Sequence, residues 1–372
     1  MIEPPAVGAL LTKIRRAGVP LREFAGTSPL YGIKTGLNEA FLIDTPTRDA
    51  LIAADPGCVE IIKPYLRGQD IDRWHAPWAG LWMIVMKSSN DHAWPWANVG
   101  EDAEIIFADI FPSIHRHFKI LETKLRKRSD QGRFWWELRS CAYYNRIEDP
   151  KIIYPDLSWS PSFAVSRQSE VIGDLAFLLP TEDSWLVAAL NSPLAWWAFW
   201  RLALHGKDDV VRMKTIYVEQ MPIARPTDTA QSSTEIGVKA LTSIHAEAAD
   251  ARRILADWYR AEHEVERLGR DLADPFGLDV DGFVAALRAA RGRRRPLSPA
   301  GVAAVRRAWA ETIAPVAARL REAERHERRL ADLVNEAYGL TPEEVALMWA
   351  TAPPRMPIPP PQPACAPGEA AE

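Results

Sequence analysis

Tyr31-Gly32-Ile33-Lys34-Thr35-Gly36-Leu37-Asn38-Glu39-Ala40-Phe41-Leu42-Ile43-Asp44 reads as strand, glycine-containing turn, strand. On that reading Lys34, Thr35 and Asn38 stand at the tip of a hairpin, and Gly36 supplies the positive φ of the turn. Working outward, Leu81-Trp82-Met83-Ile84-Val85-Met86 is a continuous apolar run of the kind a buried strand needs. Lys151-Ile152-Ile153-Tyr154-Pro155 and Asp174-Leu175-Ala176-Phe177-Leu178-Leu179 are further strands. Residues 186–204 read as helix, with a break at Asn191-Ser192-Pro193. Strand and helix signals mixed in this way predict an α+β fold.

The flanks differ in texture. Residues 1–27 hold a short helical stripe of Val7, Leu10, Leu11 and Ile14, then a proline-interrupted connection. The α+β domain spans 28–226, and Thr227-Asp228-Thr229-Ala230-Gln231-Ser232-Ser233-Thr234 reads as a polar linker. Residues 235–350 form a helical region, a bundle or an arm. Leu241, Ile244, Ala248, Ala251, Leu255, Trp258, Val265, Leu268 and Leu272 share one face up to the stop at Pro275. Ser298-Pro299 is an N-cap with proline at the first helical position. Pro315 is expected to kink or break the next helix, and Thr341 to Glu344 has capping-box spacing. Residues 351–372 are a proline-rich tail expected not to pack.

Composition excludes some classes. No apolar run approaches the roughly 18–20 residues that span a bilayer, no signal pattern opens the chain, and Cys58, Cys141 and Cys365 form no CxxC pair. A cytoplasmic location without membrane contact is expected. Among motifs with chemistry, neither a phosphate loop, G-x-G-x-x-G nor H-E-x-x-H stands in the sequence. His115 and His117 would point to different helix faces, so no metal site is expected. Asp130 with Asp149-Pro150-Lys151 imitates the spacing of a metal-dependent nuclease, but the internal proline favours a turn into a strand. The loop of DNA amino-methylation, Asn or Asp followed by Pro-Pro and an aromatic, is missing at every Pro-Pro pair. No catalytic residue or resident cofactor is therefore assigned.

One constellation remains. The net charge is −4, yet between His115 and Lys151 ten cations (Arg116, Lys119, Lys124, Arg126, Lys127, Arg128, Arg133, Arg139, Arg146, Lys151) outnumber five acids. Phe134, Trp135, Trp136, Tyr143 and Tyr144 interleave with them. Cations neutralise phosphates and reach guanine edges, and rings pack along sugars, so this stretch points to DNA. Twelve of the 15 tryptophans lie in 28–226. Arg291-Gly292-Arg293-Arg294-Arg295 is a second basic cluster, open to phosphate or solvent.

The block Gly32 to Asp44 resembles the opening of the TaqI-like C-terminal specificity domain of adenine-specific DNA methyltransferases and type IIG restriction–methylation enzymes. The resemblance continues in order through Ile61-Ile62-Lys63-Pro64-Tyr65-Leu66-Arg67-Gly68-Gln69-Asp70-Ile71, the apolar strand with Trp82, and Lys151 to Pro155. It runs on through Ala189 to Leu194, Met221-Pro222-Ile223, and Leu333 to Thr341. It implies a target-recognition domain that binds double-stranded DNA. The residues expected at the DNA are Lys34, Thr35, Asn38, Arg67, Arg73, Arg133, Trp135, Trp136, Arg139, Tyr143, Tyr144, Lys151, Arg212 and Lys214. For several of them a plain structural role stands beside the functional one: an ordinary turn at Lys34–Asn38, an internal pair of Arg67 with Asp70, and solvated charges at Arg212 and Lys214.

In that family a catalytic domain that binds S-adenosylmethionine precedes the specificity region, whereas Met1 stands only about 30 residues ahead of the resemblance. The expectation is therefore a specificity module without its own chemistry, served by a methyltransferase chain that holds the S-adenosylmethionine. Two alternatives stay open: the downstream half of a split or truncated methyltransferase, and a helical scaffold that binds protein.

Overall fold

The computed structural model describes residues 4–292 and 296–361. Two four-stranded sheets form its centre. The first has the order Leu30–Tyr31, Ala176–Leu179, Lys151–Pro155, Ala164–Ser166, all antiparallel. Both of its faces are covered. Ile152, Tyr154, Phe177 and Leu179 enter one hydrophobic core, while Ile153, Ala164, Ala176 and Leu178 enter another. Alternate side chains point to opposite faces, so a strand buried on both sides is apolar along its length, as residues 152–155 and Ala176–Leu179 are. The second sheet runs Leu42–Asp44, Leu81–Ile84, Ile62–Leu66, Val171–Ile172, and the last pair is parallel.

The chain passes from one sheet to the other at Gly32 and Gly173. Ile33 N donates to Ile172 O at 2.7 Å and Gly32 N to Ala176 O at 3.1 Å. A Cβ on Gly32 would lie 2.0 Å from Gly173 O, and one on Gly173 would lie 2.2 Å from Tyr65 Oη. Both positions need glycine for close backbone approach. The expected hairpin over 31–44 is consequently not formed. Thr35 Oγ1 donates to Asn38 Oδ1 and accepts from Leu37 N, which turns the chain into the short helix Asn38–Phe41 before Leu42–Asp44 begins.

Helices from the start, the middle and the last third of the chain close the first core. Pro5–Ala17 buries Val7, Leu10 and Ile14. Ser184–Leu190 and Pro193–Trp200 are separated where expected, with Ser192 capping the second. The stretch 227–234, read as a linker, is the start of the 36-residue helix Asp228–His263. Thr227 Oγ1 caps it by accepting from Ala230 N, and Ala230 and Thr234 are buried. This helix ends at His263, short of Val265 and Leu268, because Glu264 turns left-handed (φ 55°). It packs along Ala314–Ala337, closely enough at Gly237 that a Cβ there would meet Leu330 at 3.1 Å. Pro315 does not break its helix. A π-turn, Trp309–Ile313, joins Pro299–Ala308 to Ala314–Ala337 and accommodates the missing N–H. Further out, Ala248, Leu255, Tyr259, Phe283, Leu287, Val305 and Ile313 form a third, wholly helical core.

Part of the proline-rich tail packs, contrary to expectation. Trp196 Nε1 donates to Pro354 O at 3.2 Å, and Ile358 is buried against the helices. Residues 362–372, and Arg293, Arg294 and Arg295 of the second basic cluster, lie outside the described residues. Among the described residues no helix is long and apolar enough to cross a membrane.

The helical region meets the sheets at a charged joint. Arg73 Nη2 lies 2.7 Å from Glu327 Oε1, which also accepts from Trp74 Nε1 at 2.6 Å. Beside them stands His245. Burial, reinforced by the charges of Arg73, Arg252 and His75, holds its pKa down at about 4, while His75 is itself lowered by burial against the opposing pull of Asp250, Asp72 and Glu170. A histidine whose folded pKa is depressed binds its proton more readily when unfolded, so its contribution is present above the ordinary value near 6.5 and is lost as pH falls toward 4. Unfolding free energy is expected to drop by about 2 kcal/mol between pH 7 and pH 5, and His245→Asn to flatten that slope. Urea titrations at the two pH values check this; an unchanged slope in the variant would assign the acid sensitivity elsewhere.

Candidate nucleic-acid interface

The loop 130–139, richest in expected contacts, is held from inside by one cation and one anion. Arg128 is buried. Its Nη1 donates to Thr35 O at 2.7 Å, its Nη2 donates to Trp135 O at 3.0 Å and to Glu137 O, and its guanidinium lies 4.6 Å from the Phe41 ring. Burial pulls its pKa down to about 10. Glu137 is fully buried, and its carboxylate accepts from Ser89 N (3.0 Å), Trp96 Nε1 (2.9 Å), Arg133 N (2.9 Å), Phe134 N (3.2 Å) and Ser89 Oγ. The loop is thereby set in one conformation, with Arg133 and Arg139 pointing out to solvent.

Two pairs of cations then share one carboxylate each. Lys34 Nζ sits 2.8 Å and Arg139 Nη1 3.5 Å from Asp130. The Lys34 hydrogen bond and both positive charges hold Asp130 below the usual carboxylate range. Lys214 Nζ lies 3.0 Å and Arg212 Nη1 3.7 Å from Asp156 Oδ2. Each group carries one positive charge in excess. Between them run Tyr31, exposed by 45%, and Tyr143, whose Oη donates to Tyr31 O at 3.2 Å. Tyr31 packs on Phe177 at 4.7 Å, and Phe177 lies 5.8 Å from Lys214 Nζ. Lys34, Arg139, Tyr143, Arg212 and Lys214 thus border a single face, with Arg133 on the adjoining loop. Tyr31, which the sequence reading passed over, lies at its centre; an aromatic directly before the crossover glycine is the signal that marks it.

The other expected contacts are interior or engaged by partners within the protein. Trp136 is buried, stacked between Phe107 at 5.0 Å and Phe134 at 4.8 Å. Trp135 is covered by Arg126 and Lys119 and donates to Glu104 at 3.1 Å. Tyr144 donates to Arg139 O at 2.9 Å, and burial raises its pKa well above the ordinary tyrosine value. Lys151 is buried, and burial lowers its pKa to about 8 while the carbonyls of Asp149 and Gln168 accept from it at 3.2 and 3.4 Å. Thr35 is buried and Asn38 is spent on it. Arg67 makes the internal two-pronged pair with Asp70 (2.6 and 2.9 Å), and Arg73 is spent on Glu327. The buried ones among these side chains position the surface and do not form it, whereas Asn38 is exposed and Arg67 partly exposed, each with an internal partner.

The charge run is also partly cancelled. Partial burial works to raise Glu104, but hydrogen bonds from Lys119, Trp135 and His115 outweigh it and bring its pKa to about 2. Arg126 pairs with Glu104 and Glu122, and Lys124 with Glu39. His117 faces Ala40 O, and among the described residues no group of three or more His, Cys, Asp or Glu side chains is placed to hold a metal ion. Asp130 is engaged by Lys34 and Arg139, and Lys151 is not among its partners.

Comparison with known proteins follows this division of the chain. Residues 227–334 match a domain of unknown function (DUF8810). Among curated proteins no match is found. Two solved structures show a likeness to this chain. The type IIL restriction-modification enzyme MmeI in complex with DNA is 12% identical, with 87% of this chain and 35% of that chain covered and a TM-score of 0.49. The type IIG restriction endonuclease BpuSI is 13% identical, with 91% and 33% covered and a TM-score of 0.38. This chain spans about a third of the length of either. Residues 63–223 match the family described as TaqI-like C-terminal specificity domain, beginning beyond the Gly32–Asp44 block. By that match, residues 63–223 carry a TaqI-like C-terminal specificity domain.

Proposed function

We propose that this chain is the DNA target-recognition module of a restriction–modification or phage-defence adenine methyltransferase system, working in the cytoplasm without a catalytic site of its own. The observation that carries this reading is the specificity-domain match over residues 63–223. The face bordered by Lys34, Arg139, Arg212 and Lys214 supports it, because each cation pair keeps an excess charge that a phosphate can satisfy. Arg133 and Arg139 project from a rigid loop and are the base readers, since a preset guanidinium fork discriminates guanine. Methyl transfer is assigned to a separate chain that binds S-adenosylmethionine.

The test is binding to a randomised duplex pool at rising salt, followed by sequencing of the retained fraction. Affinity is expected to fall linearly on a log–log plot. Arg139→Ala and Arg133→Ala are each expected to cost about 1–3 kcal/mol of discrimination at one base pair. Labelled S-adenosylmethionine should methylate the selected duplex only when a methyltransferase chain is added. Lack of duplex binding at low salt would leave the scaffold reading in its place, and turnover by the chain alone would refute the division of labour.

A further inference from the structure

A second cationic feature is built on two arginines, Arg15 and Arg22, that lie outside the residues that match the specificity family. The helix Pro5–Ala17 and the segment after it wall a cleft of roughly 770 Å³ against the turn that follows Lys214. Arg15 and Arg22 stand on one wall, and Ile216, Tyr217, Gln220 and Leu202 on the other. Both arginines are exposed, and among the described residues neither side chain has an ion pair or hydrogen bond, unlike Lys34, Arg139, Arg212 and Lys214.

The walls are fixed with respect to each other. Val19–Pro20 pairs antiparallel with Pro222–Ile223, Leu21 N donates to Met221 O at 2.8 Å, and Arg22 N donates to Glu219 O at 3.2 Å. Gly18 packs so tightly that a Cβ would lie 2.6 Å from Ile223 N. The two guanidiniums are therefore carried on backbone that cannot drift apart. The cleft also continues the reading face: Tyr217 N donates to Lys214 O at 2.9 Å, so Tyr217 stands one helical turn beyond the cation pair on Asp156.

We infer that Arg15 and Arg22 clamp the phosphate backbone of the same duplex, beside the segment whose bases are read. The inference rests on the DNA-reading proposal above. The ligand is a phosphodiester: unpaired arginines present forked donors to its two free oxygens, and the Tyr217 hydroxyl and the Gln220 amide supply further donors. The exposed Ile216 faces sugar edges. A duplex fits this track better than a compact anion, because the cations extend from Lys34 to Arg15 along several elements and do not close around one centre. The N-terminal helix is thus part of the interface and contributes affinity without sequence information.

The experiment compares wild type, Arg15→Gln/Arg22→Gln and Arg139→Ala on the selected duplex and on an unrelated one, across salt. The double variant is expected to bind both duplexes about 5–20-fold more weakly at 0.15 M salt and to lower the log–log salt slope by roughly 1–2. Its preference between the duplexes should be unchanged, whereas Arg139→Ala should lose preference. A photocrosslinking residue at Ile216 should capture duplex, and one at Ile254, on the outer helical region, should not. Unchanged affinity and slope in the double variant, with wild type binding normally, would overturn the clamp and leave the reading face intact. No duplex binding by wild type would overturn both, and loss of preference in the double variant would show that these arginines read bases.

Discussion

Glu137→Ala is expected to lower unfolding free energy by about 3–5 kcal/mol, the scale of removing one member of a buried charged network. The carboxylate is fully buried and accepts from two backbone amides of its own loop, the amide and hydroxyl of Ser89, and the indole N–H of Trp96. Truncation leaves those donors with no acceptor in a site closed to solvent, and each unsatisfied group costs about 1–3 kcal/mol before relaxation. It also removes one of the negative charges, with Asp130, that favour the charge of buried Arg128, whose guanidinium ties the loop to Thr35. Glu137→Gln keeps the volume but turns an N–H toward donors, so it should cost less than alanine and still be measurable. Urea unfolding followed by tryptophan fluorescence decides the matter. A change under roughly 1 kcal/mol for alanine would mean that water replaces the carboxylate. In either variant DNA affinity should suffer more than stability alone explains, because Arg133 N is one of the donors released.

Glu327→Ala is the second large effect, also about 3–5 kcal/mol. Here the argument is the isolated cation. Arg73 keeps only 18% side-chain exposure, and its partner across the joint is Glu327 at 2.7 Å. Without that partner its charge is stranded and the Trp74 indole N–H loses its acceptor. The pair contributes little net stability when intact, since burial raises the Glu327 carboxyl and depresses the Arg73 guanidinium. A double replacement, Arg73→Met with Glu327→Leu, should therefore recover most of the loss. A thermodynamic cycle over the four proteins measures the coupling; a double variant as unstable as Glu327→Ala would show that the joint needs the ion pair for its shape.

What the sequence made legible was local. The runs 152–155 and 176–179 are apolar because both faces of their sheet are covered. The break at Ser192-Pro193 and the caps at Ser298 and Thr341 follow from side-chain oxygens placed next to helix starts. What escaped depended on residues distant along the chain. Gly32 looks like turn glycine until Gly173 is seen pressed against it. Trp136 and Tyr144 look like surface rings within a basic stretch, yet Phe107 and the Arg139 carbonyl draw them inside. Lys124 looks free because Glu39, which pairs with it, lies far earlier in the chain, and Lys119 and Arg126 share Glu104 from an earlier helix as well as the nearby Glu122. Polar composition suggested a linker at 227–234, but a good N-cap and two inward positions make the same residues helical. Within the proposed DNA face, Lys34, Arg139, Tyr143, Arg212 and Lys214 were legible as cations and an aromatic near others; their convergence was not.

The core shared by the Lys151–Pro155 sheet, the Pro5–Ala17 helix and the paired helices Asp228–His263 and Ala314–Ala337 bears on how such proteins change their targets. A recombination joint placed after residue 226 would part Trp185, Trp197 and Leu186 from Leu241, Ile244 and Leu330, leaving two sticky halves. On the DNA-reading proposal, an exchange that keeps both halves folded moves the sheets together with the helices that roof them, or single side chains on the 130–139 loop.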